Sequence, residues 1–438
     1  MTEATERTEW VRDLLGGATV YAAANVLNRA FPFLLLPVLT RYLSPEEYGV
    51  YVMFQVVLFF LLPLIGLNSE AAVSREFFRL ERPELERYVR NTQLMSGGIG
   101  AVLLVVALAA GGPIGGFLSF PGAWLPVVVV VGMGESAKAV HLVLWRMQKR
   151  ARAYAAFTVC QAAVRTAACI LPLVLVTRRL DGLLWGHALS LTAFSLFSLV
   201  ALRREGCLAW SWHGSHARDY LRYGVPLLPH RMSGWLQGMA DRVLIAKLGD
   251  LAQLGIYSLG YSLGGLVGLV QDAVNLAWVP FLYERLARAD HRARLEIVRF
   301  IGLYAIGMAA VAVAVTLMSS LVFPLLGPRF AGARVFVVWI AFAYAVNGVY
   351  KMFVNFLFFA GRTAVISAIT ITTALLGFGI AYALIASRGV IGAGYAAVIS
   401  QVLTCACVVV VARRAAPMPW REGLRTVFVG LRRPERAA

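Results

Sequence analysis

Six cationic side chains, Arg29, Lys138, Arg165, Arg231, Arg242 and Lys351, sit inside stretches otherwise apolar enough to span a bilayer. A charge at the centre of a spanning helix costs roughly 2.5 to 3.5 kcal/mol on insertion, so such residues face a watery cavity or a partner. Clustered cations suit an anionic cargo. Guanidinium suits phosphate in particular, because its planar fork donates paired hydrogen bonds and keeps its charge at any relevant pH.

The neighbours of these cations extend the pattern. Arg29 follows Asn25 by one helical turn and Asn28 directly, which draws a polar stripe along its stretch. Glu135, Lys138 and His141 recur every three residues, so Glu135 and Lys138 can pair along one helix face. That pair reads as mutual neutralisation, as a cargo contact or as a proton-coupling element. Asp241 and Arg242 approach the outer end of their stretch, where snorkelling, a gate contact and substrate binding all stay open. Lys351 lies between Asn347 and Asn355, four residues away on either side, which makes a second polar stripe. Asp272 is a candidate counter-ion or coupling acid. His187 and His230 are candidate proton carriers by residue type, although lone histidines more often serve as hydrogen-bonded structural residues. The expected substrate contacts are therefore Arg29, Lys138, Arg165, Arg231, Lys351, Asn25 and Asn28, and the gate or ion-coupling candidates are Glu135, Asp241, Arg242, Asp272 and His230. No nucleophile and base pair, and no metal-ligand spacing of His, Cys and carboxylates, can be read. The chemistry expected is non-catalytic and free of metals and cofactors, beyond a coupled proton or sodium ion.

The elements that must carry these residues are membrane helices. Of 438 residues, 59% are hydrophobic and only 15% charged, with mean hydropathy +0.71, which exceeds what a soluble chain shows. About 20 apolar residues cross ~30 Å of hydrocarbon as a helix, and twelve stretches qualify: 16 to 39, 48 to 68, 93 to 112, 122 to 143, 156 to 176, 183 to 202, 222 to 246, 255 to 281, 298 to 325, 333 to 358, 364 to 386 and 390 to 411. They are continuous rather than alternating, which favours helices over a barrel. With the N-terminus inside, the inner segments and their boundaries carry 28 of the 41 Lys and Arg, the outer segments seven and the spans six. That excess places both termini in the cytoplasm. Trp10, Trp124, Trp145, Trp185 and Trp278 fall near span ends, where amphipathic rings favour the interface. Trp210 and Trp212 belong to an inner loop that is either a surface-lying segment or an ordinary linker.

The first fifteen residues are polar and carry four acids, unlike a secretory signal, so the first span is expected to be retained. Five cysteines, mostly within spans, read as small packing residues rather than a disulfide framework. The net charge of +18 reflects the inner loops, not a nucleic-acid partner. No segment between spans is long enough for a soluble catalytic domain, and no GxxxxGK[ST] loop is present. The run LPVVVVVGMGESAK at 125 to 138 imitates a dinucleotide-binding turn. It lies in a spanning stretch with no acid about 20 residues onward, so Gly132 and Ser136 are read as helix-packing positions. Gly260, Gly264 and Gly268 read the same way in the eighth span.

LSPEEYGVY at 43 to 51 and LGDLAQLGIY at 248 to 257 resemble each other, with one extra residue in the second copy. They divide the chain six plus six: an N-terminal segment 1 to 15, a bundle over 16 to 202, a cytoplasmic linker 203 to 221, a bundle over 222 to 411 and a basic tail 412 to 438. The expected fold is thus all-α and integral to the membrane, with twelve transmembrane helices in two six-helix bundles. An even number of spans per repeat relates the bundles by a pseudo-two-fold axis along the membrane normal.

The LTRYLSPEEYGVY segment at 39 to 51, DRVLIAKLGDLAQLGIYSLGYSLG at 241 to 264, and GRTAVISAI followed by GVIGAGYAAVIS near the C-terminus make the chain resemble the polysaccharide-transporter family. The likeness is to oligosaccharide flippases of the Wzx type, within the multidrug/oligosaccharidyl-lipid/polysaccharide (MOP) superfamily. The resemblance implies a bacterial inner-membrane protein that moves an undecaprenyl-pyrophosphate-linked oligosaccharide outward by alternating access, for surface polysaccharide biosynthesis. It also implies membrane lipids, a polysaccharide polymerase and glycosyltransferases as partners. Arg29, Arg165, Arg231 and Lys351 fit the family's cationic cavity by position. Two alternatives remain: a lipid II flippase, which resembles longer chains, and a drug or cation antiporter of the MATE type, whose cargo favours acids in the cavity.

Overall fold

The computed structural model describes residues 33 to 423, apart from 176 to 178, 209 to 211 and 289, together with Val20, Ala24, Leu27, Asn28, Phe31 and Arg425. Arg29, Asn25, Trp10 and Trp210 lie outside the described residues, as does nearly all of segments 1 to 15 and 424 to 438. Every long element is an α-helix. In order they are α1 (Phe33–Tyr42), α2 (Pro45–Gly66), α3 (Ser69–Glu76), α4 (Arg82–Leu118), α5 (Leu125–Met147), α6 (Ala151–Leu175), α7 (Arg179–Arg204), α8 (Gly214–Leu248), α9 (Leu251–Gly264), α10 (Val267–Arg288), α11 (His291–Val322), α12 (Arg334–Phe359), α13 (Thr363–Arg388) and α14 (Ile391–Ala415).

Among the described residues ten helical stretches are long and apolar enough to cross a membrane. Two of the twelve expected spans are not among them. The described part of the first is only α1. The seventh is helical throughout but too polar, since Pro226, Pro229, His230, Arg231, Asp241 and Arg242 all fall in α8. The eighth expected span differs in another way: it is two helices, α9 and α10, broken at Gly265 and Leu266. There the i to i−4 ladder gives way to short-range bonds, Leu266 N to Leu263 O at 3.2 Å and Gly268 N to Gly265 O at 2.8 Å. A run with glycines at 260, 264, 265 and 268 has little propensity to hold one helix.

The two similar segments turn out to share a capping device. Ser44 accepts from Glu47 N at 3.1 Å while the Glu47 carboxylate accepts from Ser44 N at 2.7 Å, and Pro45 opens α2. At α9, Asp250 takes the same role and accepts from Gln253 N at 2.7 Å. Gly249, the extra residue, precedes the second cap. Both helices then present a buried tyrosine two turns later, Tyr51 and Tyr257.

By compactness the chain divides into Met1–Trp235 and Leu236–Ala438, with the boundary inside α8. In the first unit, Val73, Tyr88, Val89, Val140, Leu144, Leu202 and Tyr220 pack one core. The expected small-residue contacts occur there: a Cβ on Gly132 would stand 2.9 Å from Ile65 Cδ1, and one on Gly66 would stand 2.9 Å from Ser136 Oγ. Lipid gives helices no hydrophobic reason to associate, so such close approach supplies the dispersion that does. In the second unit, Trp278, Leu282, Ile297, Ile301, Met352 and Phe356 form the core. Gly260, Gly264 and Gly268 seat α9 and α10 against Phe336, Ile340 and Tyr344 of α12, turn by turn.

Two of the expected interfacial tryptophans are core residues instead. Trp278 is 1% exposed and its indole donates to Met352 O at 3.2 Å; Trp145 is buried against His141 and Phe157. Proximity to a span end does not say which way a ring turns, and both turn inward. Trp185 stays half exposed beside Trp124. Cys169, Cys207 and Cys405 are buried, as packing residues should be, whereas Cys160 is exposed.

Candidate functional site

The second unit holds the most ordered polar array. Asn347, Lys351 and Asn355 line one face of α12 at four-residue spacing, and α10 answers each with a residue of its own. Gln271 Nε2 donates to Asn347 Oδ1 at 3.1 Å, Lys351 Nζ pairs with Asp272, and Asn355 Nδ2 donates to Asn275 Oδ1 at 3.0 Å. Asn355 also donates to Lys351 O at 2.7 Å, and Asn347 Nδ2 continues the array to Gln401 Oε1 of α14 at 3.1 Å. Amides can pair both as donor and acceptor, so the array links three helices without burying a net charge, with Gln271 Oε1 left as a buried acceptor without a donor among the described residues. The Lys351 and Asp272 side chains stay 24% and 33% exposed.

The first unit treats its charges differently. Lys138 Nζ lies 2.6 Å from both carboxylate oxygens of Glu135 on the same helix, α5, and Ser195 Oγ of α7 reaches Glu135 at 3.5 Å. One turn on, His141 Nδ1 meets Ser198 Oγ at 3.1 Å in full burial. Arg231 of α8 donates through Nε to Asn68 Oδ1 at 2.6 Å and pairs with Glu70 of α3. His187 contacts Tyr51 Oη through Nδ1 at 3.2 Å. Arg165, midway along α6 and half-buried, makes no ion pair or hydrogen bond among the described residues.

At the far end of α8, Arg242 is 7% exposed and enclosed by its own helix. It lies 3.1 Å from Asp241 Oδ1, donates to Gly238 O at 2.5 Å and stacks over Tyr261 at 4.2 Å. Tyr257 donates to Asp241. This is an internal brace between α8 and α9, not a snorkelling side chain. His230 is exposed, and Asn28 is half-buried.

Four of the six intramembrane cations therefore have carboxylate partners, and Arg29 is not described. Sequence reasoning anticipated Glu135 for Lys138, Asp241 beside Arg242 and Asp272 as a counter-ion. It missed Glu70 and Asn68, which sit in a corner between helices with no local signal. It also missed Gln271, Asn275 and Gln401; the spacing of Gln271, Asp272 and Asn275 on one helix was a signal that could have found the first two.

Comparison with known proteins places this geometry. Residues 14–286 match the family model described as polysaccharide biosynthesis protein. Lsg locus protein 1 of Haemophilus influenzae is 25% identical over 372 residues, covering 82% of this chain and 88% of that protein. A membrane protein of the same organism is 23% identical over 375 residues, covering 84% and 89%. Among solved structures, the lipid II flippase MurJ in its inward closed conformation superposes with a TM-score of 0.77 at 11% identity, over 94% of this chain and 91% of that one. An inward-facing multidrug resistance MATE family transporter of the MOP superfamily gives a TM-score of 0.68 at 14% identity, over 93% and 96%. At such identities the likeness establishes the fold, an all-α multi-pass membrane fold shared with these transporters, and nothing finer.

Proposed function

We propose, from the premise that this chain belongs to the polysaccharide biosynthesis protein family, that it carries a lipid-linked oligosaccharide across the inner membrane. The family is one of transporters, not enzymes. The cargo we assign is an undecaprenyl-pyrophosphate-linked glycan, moved from the inner to the outer leaflet by alternating access. Twelve spans in two six-helix halves, related by a pseudo-two-fold axis and with both termini cytoplasmic, are part of the same reading. So are the bundles over 16 to 202 and 222 to 411 with their linker between. The capping device shared by α2 and α9 supports that division.

The observation that carries the proposal is Arg165, a guanidinium in mid-span with no counter-ion among the described residues. An uncompensated charge there is costly and is retained only if something anionic uses it. Exposure ranks the other cations. A partly exposed pair such as Lys351 with Asp272, or Arg231 with Glu70, is worth at most about 1 kcal/mol and can exchange its carboxylate for pyrophosphate. Buried pairs cost about 3 to 5 kcal/mol to break, which makes Lys138 with Glu135 and Arg242 with Asp241 structural. The Asn and Gln array of the second unit, buried at Gln271 and Asn355, holds α10, α12 and α14 together around the Lys351 pair. Export of about two negative charges along an inside-negative potential of 100 mV would release roughly 4 to 5 kcal/mol; a coupled proton or sodium ion would add to this, with Asp272 as the coupling carboxylate. A polymerase and glycosyltransferases would consume and supply the cargo.

Arg165→Ala is expected to abolish surface glycan export and flipping in proteoliposomes while leaving membrane abundance unchanged, and Arg165→Lys to restore part of it. Normal export by Arg165→Ala would overturn the mechanism. A lipid II cargo shares the pyrophosphate, so the reconstituted assay compares lipid II with an undecaprenyl-linked oligosaccharide directly.

A further inference from the structure

The first unit also contains a cavity apart from the polar residues and ion pairs described above. A cavity of about 530 Å³ opens where the start of α4 meets the ends of α5 and α7. All its lining residues come from the three segments 69 to 92, 144 to 155 and 203 to 221, which the spans leave on a single side of the membrane. One wall is apolar, built from Phe77, Leu80, Leu85, Val89 and Leu144. The rest of the lining is polar and charged. There Arg82 and Glu86 compensate each other at 3.3 Å, whereas Arg150 and Glu205 make no ion pair among the described residues. Cys207 closes the site as a neutral group, since burial and the Glu205 and Glu86 carboxylates push its thiol up to about 12.

We propose that this cavity binds a membrane phospholipid whose headgroup carries both a phosphate and a primary ammonium. Arg150 receives the phosphate through charge-assisted hydrogen bonds. Glu205 accepts from the ammonium, which a quaternary amine could not donate, and the apolar wall takes the glycerol ester and the start of an acyl chain. A purely anionic headgroup would leave Glu205 without an ammonium to pair with. The site lies at the ends of the helices, at headgroup level, where lipid is always abundant.

The test is native mass spectrometry of the full chain in detergent, with phosphatidylethanolamine, phosphatidylglycerol and phosphatidylcholine added in turn. The wild type is expected to retain the ethanolamine lipid over the other two by about fivefold, the scale of one exposed ion pair. Glu205→Gln should move the preference to phosphatidylglycerol, and Arg150→Gln should lose the ethanolamine lipid. The charge exchange Arg150→Glu with Glu205→Arg should recover it. The thermal midpoint of each variant shows whether it is folded, and the charge exchange carries the test if a single variant is not. Equal retention of the three lipids by the wild type, or a Glu205→Gln protein with unchanged preference, overturns the proposal. Free phosphoethanolamine binding as tightly as the lipid overturns the assignment to a lipid.

Discussion

Lys138 with Glu135 and Lys351 with Asp272 are both lysine and carboxylate pairs within the membrane, yet they solve different problems. The first pair lies within one helix at i, i+3, buried, and would exist if α5 stood alone. The second joins α10 to α12 across 79 residues of sequence and stays partly exposed. An intrahelical pair lets a helix enter lipid without carrying a net charge, and no motion of its neighbours disturbs it. A pair between helices depends on how the two helices sit, which is why the proposed mechanism lets it exchange its carboxylate for cargo. Charge identity is the same in both regions; only the second location joins two helices.

The largest expected effect tests the buried pair. Glu135→Gln leaves the Lys138 ammonium enclosed without its counter-ion, and should cost about 3 to 5 kcal/mol, read as a drop in thermal midpoint and membrane abundance. Adding Lys138→Met should restore both, and export with them; a folded but inactive double variant would move Lys138 back among the substrate contacts. Asp272→Asn should cost no more than about 1 kcal/mol of stability while changing transport, since its pair is partly solvated. A stability loss equal to that of Glu135→Gln would erase the contrast between the two regions. Asn355→Ala removes one rung beside Lys351 and should cost about 1 kcal/mol, with a smaller export defect than Lys351→Ala. Most alike, and with the least effect on export, should be Ser44→Ala and Asp250→Ala, each costing about 1 kcal/mol as lost helix caps. Unequal losses would mean that the repeated segments no longer do the same job.

Much of the fold was legible in the sequence because membrane helices are written locally. Span edges expected at 122 and 390 meet α5 and α14 within a few residues, since apolar run length decides them. The break at Gly265 and Leu266 was hidden by the same criterion, because glycines count as apolar while weakening the helix. Trp145 and Trp278 went wrong for a related reason: interfacial preference is an average, and packing against Phe157 or Met352 overrides it. In the site, the stripe of Asn347, Lys351 and Asn355 was visible from spacing on one helix. Glu70 was not, being 161 residues from Arg231.

By itself the sequence determined which segments enter the membrane, which residues place charge there, and where α2 and α9 are capped. Each of these depends on residues within a turn or two of one another. Only the tertiary structure decided that Arg231 meets Glu70 and that Lys351 meets Asp272, that Arg165 has no counter-ion among the described residues, and that three separate segments close a cavity around Arg150 and Glu205. The free energy of a charge is set by what lies within about 4 Å of it; Lys138 and Arg242 find that partner on their own helix, whereas Arg231 and Lys351 find it on a helix distant in sequence.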